Sequence, residues 1–204
     1  MNDTNQNRPL AQTSAPGISY RPEMAFYHPN ALGTGCAVKL SLHPAHDDVE
    51  GSIFVTLANQ MTIGDRRGPT PVYPHFDWEN SICVRLQFAD LCPMLQVFRG
   101  ECESIAEGKG LFHRTKEFYT NISLKHLTEP DSCYSLSVFR TRPGAANGET
   151  HAHFTFSAGE ALGLSEAIAG SMAVICFGIP MVVPHVAVRG AADSRKPRNG
   201  TAAA

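Results

Sequence analysis

Twice in this chain the hydrophobic period switches from two to between three and four within a few residues, and each switch makes a strand run straight into a helix. In the first, ICVRLQF puts Ile82, Val84, Leu86 and Phe88 on one face and Arg85 and Gln87 on the other, the alternation of a half-buried strand. Leu91, Leu95, Phe98, Cys102 and Ile105 then recur at steps of four, three, four and three, which is the stripe of an amphipathic helix. Asp90 is placed to cap it, and Pro93 falls in its first turn, where a missing N–H matters little. In the second, HAHFTF turns Phe154 and Phe156 inward and is followed by SAGE, a capping box in which Ser157 accepts from the third helical N–H and Glu160 reaches back. Ala161, Leu164, Ile168, Met172 and Ile175 continue at helical spacing until Gly178 and Pro180 stop the helix.

Each junction ends a run of strands. CAVKLSLH alternates Val38, Leu40 and Leu42 against Lys39, Ser41 and His43, and SIFVTLA turns Ile53, Val55 and Leu57 inward. After the loop GPTPVYPHFDW comes the first junction, so the first half holds at least three strands. The second half offers four: GLFHR, TNISLKHL, CYSLSVFRTR and HAHFTF. A meander cannot bury its apolar face alone, and a helix from each half supplies the missing cover. The expected fold is α+β: two antiparallel sheets of about four strands, each followed by an amphipathic helix, in one domain over residues 23–183. Residues 1–22 and the tail 184–204, which carries Arg189, Arg195, Lys196 and Arg198, are expected to be disordered.

The net charge of −2 gives no global pull toward a polyanion, so any such binding needs a local patch. The six cysteines show no C-x-x-C spacing and most lie in apolar runs, which reads as reduced, structural thiols. The first residues, MNDTNQNRPLAQTSAPG, lack the basic start and apolar run of a secretory signal, and no 18-residue apolar stretch is apparent. A cytoplasmic setting without membrane contact is therefore expected.

With this order of elements in view, three segments resemble the Whirly family of single-stranded-DNA-binding proteins and, more distantly, trypanosome mitochondrial guide-RNA-binding proteins. CAVKLSLHP is similar to that family's early lysine-containing strand, with Lys39 as the nearest base because Gly33 and Gly35 occupy the neighbourhood of its lysines. EGSIFVTLANQ is similar to the strand that follows, and FDWENSICVRLQFADLCPMLQVF to its aromatic-Asp-Trp segment, strand and first helix. The resemblance implies binding of single strands, DNA or RNA, along sheet edges of a homo-oligomer, tetramer or dimer, in transcription, replication or repair, with no cofactor and no catalytic residue.

The residues fit such a role independently. Bases of a single strand stack on aromatic rings while Lys and Arg follow the backbone. Lys109, Arg114, Lys116, Lys125, Arg140 and Arg142 outnumber Glu117, Glu129 and Asp131 by three, with Phe112, Phe118 and Tyr119 interleaved. Phe54 shares the wet face of its strand with Ser52 and Thr56, where a ring needs a partner to cover it. Trp78 reads as a core anchor or as a stacking platform, and Arg140 and Arg142 as a phosphate rail or as guards of an edge strand. GKGLFHR is not a P-loop, since G-K-[ST] is absent.

Two other classes stay in view. His151 and His153 point the same way from a strand and could begin a cupin-like metal site, although Gly148 stands too close and Glu160 too far for that motif. A purely structural oligomerisation module would use Phe54 and the helix after Ser157 between subunits.

Overall fold

The computed structural model describes residues 23–65, 67, 69–129, 133–144 and 148–178. The segments 1–22 and 184–204, Asp131 and Pro180 lie outside these residues. Two four-stranded antiparallel meanders form the fold, in the orders β1-β2-β3-β4 and β5-β6-β7-β8. Sheet 1 comprises β1 (Glu23–His28), β2 (Cys36–His43), β3 (Ser52–Asn59) and β4 (Ile82–Leu86), and leads into α1 (Phe88–Phe98). Sheet 2 comprises β5 (Leu111–Arg114), β6 (Tyr119–Leu127), β7 (Cys133–Thr141) and β8 (Glu149–Ser157), and leads into α2 (Ala158–Phe177). The first half thus has a fourth strand, β1, beyond the three legible in sequence. Among the described residues it is an edge strand of sheet 1, a short one whose alternation rests on Met24 and Phe26 alone, both packed against the core.

Parity sets the core. Val38, Leu40, Ile53, Val55, Leu57, Ile82, Val84 and Leu86 of sheet 1 face Ile122, Leu124, Leu136, Val138, Phe154 and Phe156 of sheet 2, all buried. Rings stitch the two layers: Phe26 meets Phe156 edge-on at 5.5 Å between centroids, and the His28 imidazole stacks on Phe154 at 4.4 Å. Phe98 of α1 closes the same cluster at 5.9 Å from Phe156.

The helix ends depart from expectation at three points. Gln87, not Asp90, is the N-cap of α1, and Asp90 is the third helical residue, whose carboxylate accepts from the Gln87 N–H at 3.0 Å. Phe88 therefore opens the helix, 43% exposed, instead of closing the strand. Pro93 sits in the second turn, where it leaves the Ala89 carbonyl without its usual partner. Gly100, at φ +73°, carries the left-handed turn that ends α1, so Cys102 is exposed and Ile105 is buried from a separate 3-10 turn, Ile105–Gly108. In α2 the Ser157–Glu160 box is present on both sides, and Gly178 ends the helix.

Both helix starts carry the same tether. The third residue of α1, Asp90, bonds His113 of β5 at 3.0 Å, and the third residue of α2, Glu160, bonds His28 of β1 at 2.8 Å. Each helix is thereby pinned to the first strand of the sheet it does not follow. Burial alone would push the Glu160 carboxyl up, but bonds from the Ser157 N–H, His28 and the Ser157 hydroxyl hold it below the usual carboxylate range.

Two composition-based expectations need correction. An 18-residue window of α2 reaches a mean hydropathy of 1.4, so an apolar stretch of that length does exist, by length and composition enough to cross a membrane. Ala161, Leu164, Ile168 and Ile175 bury one side of it in the core, while Leu162 and Phe177 on the rest are 64% and 88% exposed. Of the six free cysteines only Cys36 is buried, and its burial pushes the thiol up to about 11. Cys83, Cys102 and Cys176 are exposed, because strand parity and helix facing override the apolar runs around them.

Candidate nucleic-acid interface

The eleven residues singled out in sequence fall on two separate surfaces. Lys39, Phe54 and Trp78 lie on the outward side of sheet 1, and Lys109, Phe112, Arg114, Lys116, Tyr119, Lys125, Arg140 and Arg142 belong to sheet 2 and its loops.

On sheet 2, parity leaves odd-numbered residues of β6, β7 and β8 outward, along with Phe112 and Arg114 of β5. Register then lines up one row across all four strands: Phe112 opposite Asn121, Asn121 opposite Phe139, Phe139 opposite His151. Phe112 is 64% and Phe139 40% exposed, and the His151 ring stacks on Phe139 at 4.1 Å and 17°. In the next row Arg114 pairs with Tyr119, its guanidinium 5.4 Å from the ring centre, and Tyr119 lies 6.0 Å from Phe112 at 30°. Apart from His153, opposite Ser137, and Lys125, the outward positions beyond are small and polar: Ser123, Ser135, Ser137 and Thr155. The face is thus flat, with rings clustered at one end and Lys125 exposed farther along it.

The cations around the rings differ in how free they are. Arg114, Lys109, Lys116, Lys125 and Arg142 are exposed. Lys116 rides the β5–β6 turn, where the Thr115 hydroxyl accepts from the N–H groups of Glu117 and Phe118. Lys109 follows the 3-10 turn, and its carbonyl accepts from the Asn121 amide at 3.1 Å. Gly110, at φ +77°, comes so close to the Ile122 carbonyl that a Cβ would sit 2.6 Å from it, so GKGLFHR keeps its glycine for a backbone approach.

Arg140 is different. Its parity is inward, and it donates to the Thr120 hydroxyl at 3.3 Å and to the Cys83 carbonyl at 2.5 Å, clamping β7 to the edge of sheet 1. Its half-buried setting lowers the guanidinium pKa through desolvation, without removing the charge. β7 is an interior strand, so the edge-guard reading does not fit Arg140, whose guanidinium is engaged by the Thr120 hydroxyl and the Cys83 carbonyl. Arg142 lies beyond the strand end and, like Arg140, packs 5.1 Å from the Phe118 ring centre.

Sheet 1 presents a second aromatic group. The loop after β3 folds back so that the Asp77 N–H donates to the Asn59 carbonyl at 2.9 Å, which lays Trp78 against the outward face. Trp78 is half-buried, so it is not a core anchor; the Lys39 ammonium lies 4.6 Å from its ring centre and Tyr27 meets it edge-on at 6.4 Å. Tyr27 also packs on Phe76 at 5.7 Å. Asp77 is drawn below the usual carboxylate range by its bonds from the Asn80 side chain and N–H. Phe54 stands apart from this group, edge-on to His43 at 4.5 Å.

His151 and His153 do share a face, but each ring has its own neighbour: Phe139 for the first, and the Ser135 hydroxyl at 3.0 Å for the second. The pKa of His153 is lowered by desolvation and by repulsion from His151. Among the described residues no group of three or more His, Cys, Asp or Glu side chains is placed to hold a metal ion. Sequence reasoning missed Phe139, His151 as a stacking partner, Tyr27 and Phe76. The parity that exposed Phe54 marks Phe139 as outward too, since Tyr134, Leu136 and Val138 are inward.

No family model matches the sequence, and no curated protein sequence matches it. Solved structures do. WHY1 from Arabidopsis thaliana superposes with a TM-score of 0.60 at 11% identity, covering 78% of this chain and 86% of that one. WHY3 from the same plant gives 0.56 at 13% identity over 79% and 90%. Two four-stranded sheets, each run on into a helix and folded over one core, give this chain the fold of the Arabidopsis Whirly proteins.

Proposed function

We propose that this protein binds single-stranded nucleic acid, DNA or RNA, on the outward face of sheet 2, with low sequence preference and without catalysis. The observation that carries the reading is the row Phe112–Asn121–Phe139–His151. Three outward rings in one register row, on β5, β7 and β8 with Asn121 of β6 between them, gain nothing for the core, whereas every base has a face to stack on them. Arg114, Lys109, Lys116 and Arg142 at that end of the sheet, with Lys125 farther along the face, serve as phosphate partners, and the fold shared with the Whirly proteins supports the same class of ligand. A homo-oligomer belongs to this reading. The uncovered side of α2, with Leu162 and Phe177, and an apolar cleft of about 260 Å³ between α2 and sheet 1 are surfaces that a second copy would cover.

Fluorescence anisotropy with labelled single-stranded and duplex oligonucleotides across a salt series tests it. Stacking plus phosphate contact favours the single strand and weakens steeply as salt rises. No binding of either probe at micromolar protein and low salt would falsify the reading and leave the oligomerisation module, for which sedimentation or light scattering gives the assembly size.

A further inference from the structure

The aromatic group on sheet 1 holds a cation that is already spoken for. Lys39 stands opposite Ala25 and diagonal to Glu23, and its ammonium lies 3.2 Å from one Glu23 oxygen while also resting on Trp78 at 4.6 Å. The other Glu23 oxygen accepts from the Ser41 hydroxyl at 3.4 Å. The two charged side chains are 31% and 38% exposed, so solvent reaches the pair from the same side as it reaches the rings. Tyr27, 52% exposed, extends the aromatic surface beside them. Across the sheet from Lys39 come Thr56 and then Cys83, small residues that leave the floor low.

We propose that Glu23 is an internal stand-in for a phosphate, and that Lys39 and Trp78 form a second contact for the strand, opened when the phosphodiester displaces the carboxylate. This rests on the reading of the protein as a single-strand binder. A carboxylate and a phosphodiester both offer an ammonium anionic oxygens, so the exchange alone is close to neutral for an exposed pair of this kind. What tips it is the base that arrives with the phosphate and stacks on the Trp78–Tyr27 surface. A duplex, whose bases are already stacked, brings only the phosphate and gains nothing. Glu23 therefore adds selectivity for single strands at the expense of affinity.

Trp78 is the only tryptophan in the chain, so its intrinsic emission reports this contact without a label. Titration of the full chain with a short unlabelled single strand quenches that emission, and an equal length of duplex does not. Glu23→Gln tightens single-strand binding about two- to fivefold, the range of an exposed ion pair, and steepens its salt dependence by about one phosphate contact. Glu23→Gln has no such effect when Lys39 is already Gln. Anisotropy with a labelled strand run in parallel separates the possible failures. If the labelled strand binds while Trp78 emission stays constant and Glu23→Gln matches wild type, the strand uses sheet 2 alone and the displaceable contact is refuted. A gain from Glu23→Gln that survives in the Lys39→Gln background refutes it too, since the effect is then general charge. If no labelled strand binds to either protein, the functional reading fails and this inference fails with it.

Discussion

Replacing Phe139 with Ala separates a ring that packs from a ring that binds. Phe139 is 40% exposed and its ring partner is His151, whereas Phe154, three positions beyond His151 on β8, is 1% exposed and touches Phe26, His28 and Phe156. Truncating a core ring of the second kind costs about 3–5 kcal/mol. Phe139→Ala loses one aromatic contact, about 0.5–1.5 kcal/mol, and part of an already half-open surface, so its stability loss is about 1–2 kcal/mol. If a base stacks on that ring, the binding loss is a further matter: about 1–3 kcal/mol per base, or roughly 5- to 150-fold in Kd. Urea denaturation gives the first quantity and anisotropy at fixed salt the second, with Phe139→Trp expected to keep binding within a few-fold of wild type. Wild-type affinity in a Phe139→Ala protein that remains folded would refute the assignment of the row as a stacking surface.

Three further outcomes follow from the geometry. Arg140→Met leaves the Cys83 carbonyl without its donor and lowers stability by about 1–3 kcal/mol in denaturant melts, while changing the salt dependence of binding far less than Arg114→Ala. Because the Glu160 carboxyl is held below its ordinary value in the folded chain, its contribution is fully present above the unfolded carboxylate range and is lost as pH falls through the folded value; Glu160→Gln therefore narrows the stability difference between pH 7 and pH 3 seen by denaturant melts. With its thiol at about 11, Cys36 carries on the order of one thiolate per thousand at pH 8, so native alkylation mapped by mass spectrometry marks Cys83, Cys102 and Cys176 and spares Cys36 until the protein unfolds.

Strand parity was the most legible part of the sequence. It placed Val38, Leu40, Ile53, Val55, Leu57, Ile122, Leu124, Leu136, Phe154 and Phe156 in the core from alternation alone. Helix ends were harder, for local reasons. An acid in the third helical position of a capping box resembles an N-cap, which is why Asp90 misled, and the spacing of Cys102 and Ile105 continued the stripe of α1 past a left-handed glycine that had ended it. The site was legible residue by residue and not as a surface. Nothing local says that Lys39 and Phe112 belong to different faces, or that Arg140 is spent on a carbonyl 57 positions away, because both facts arise only when the two sheets close on each other. Trp78 is turned outward by a tie within the first half, since the direction of a long loop is set by where it is held, here by Asp77 to Asn59.

The paired tethers at the helix starts, His113 to Asp90 and His28 to Glu160, join halves and not chain neighbours. Each half supplies one histidine and one acid, so neither can close its own link. A half donated by another copy of the chain would satisfy the same four groups as the native one, leaving the loop between Phe98 and Leu111 as the hinge. At these contacts, domain exchange is thus chemically level with closure inside one chain.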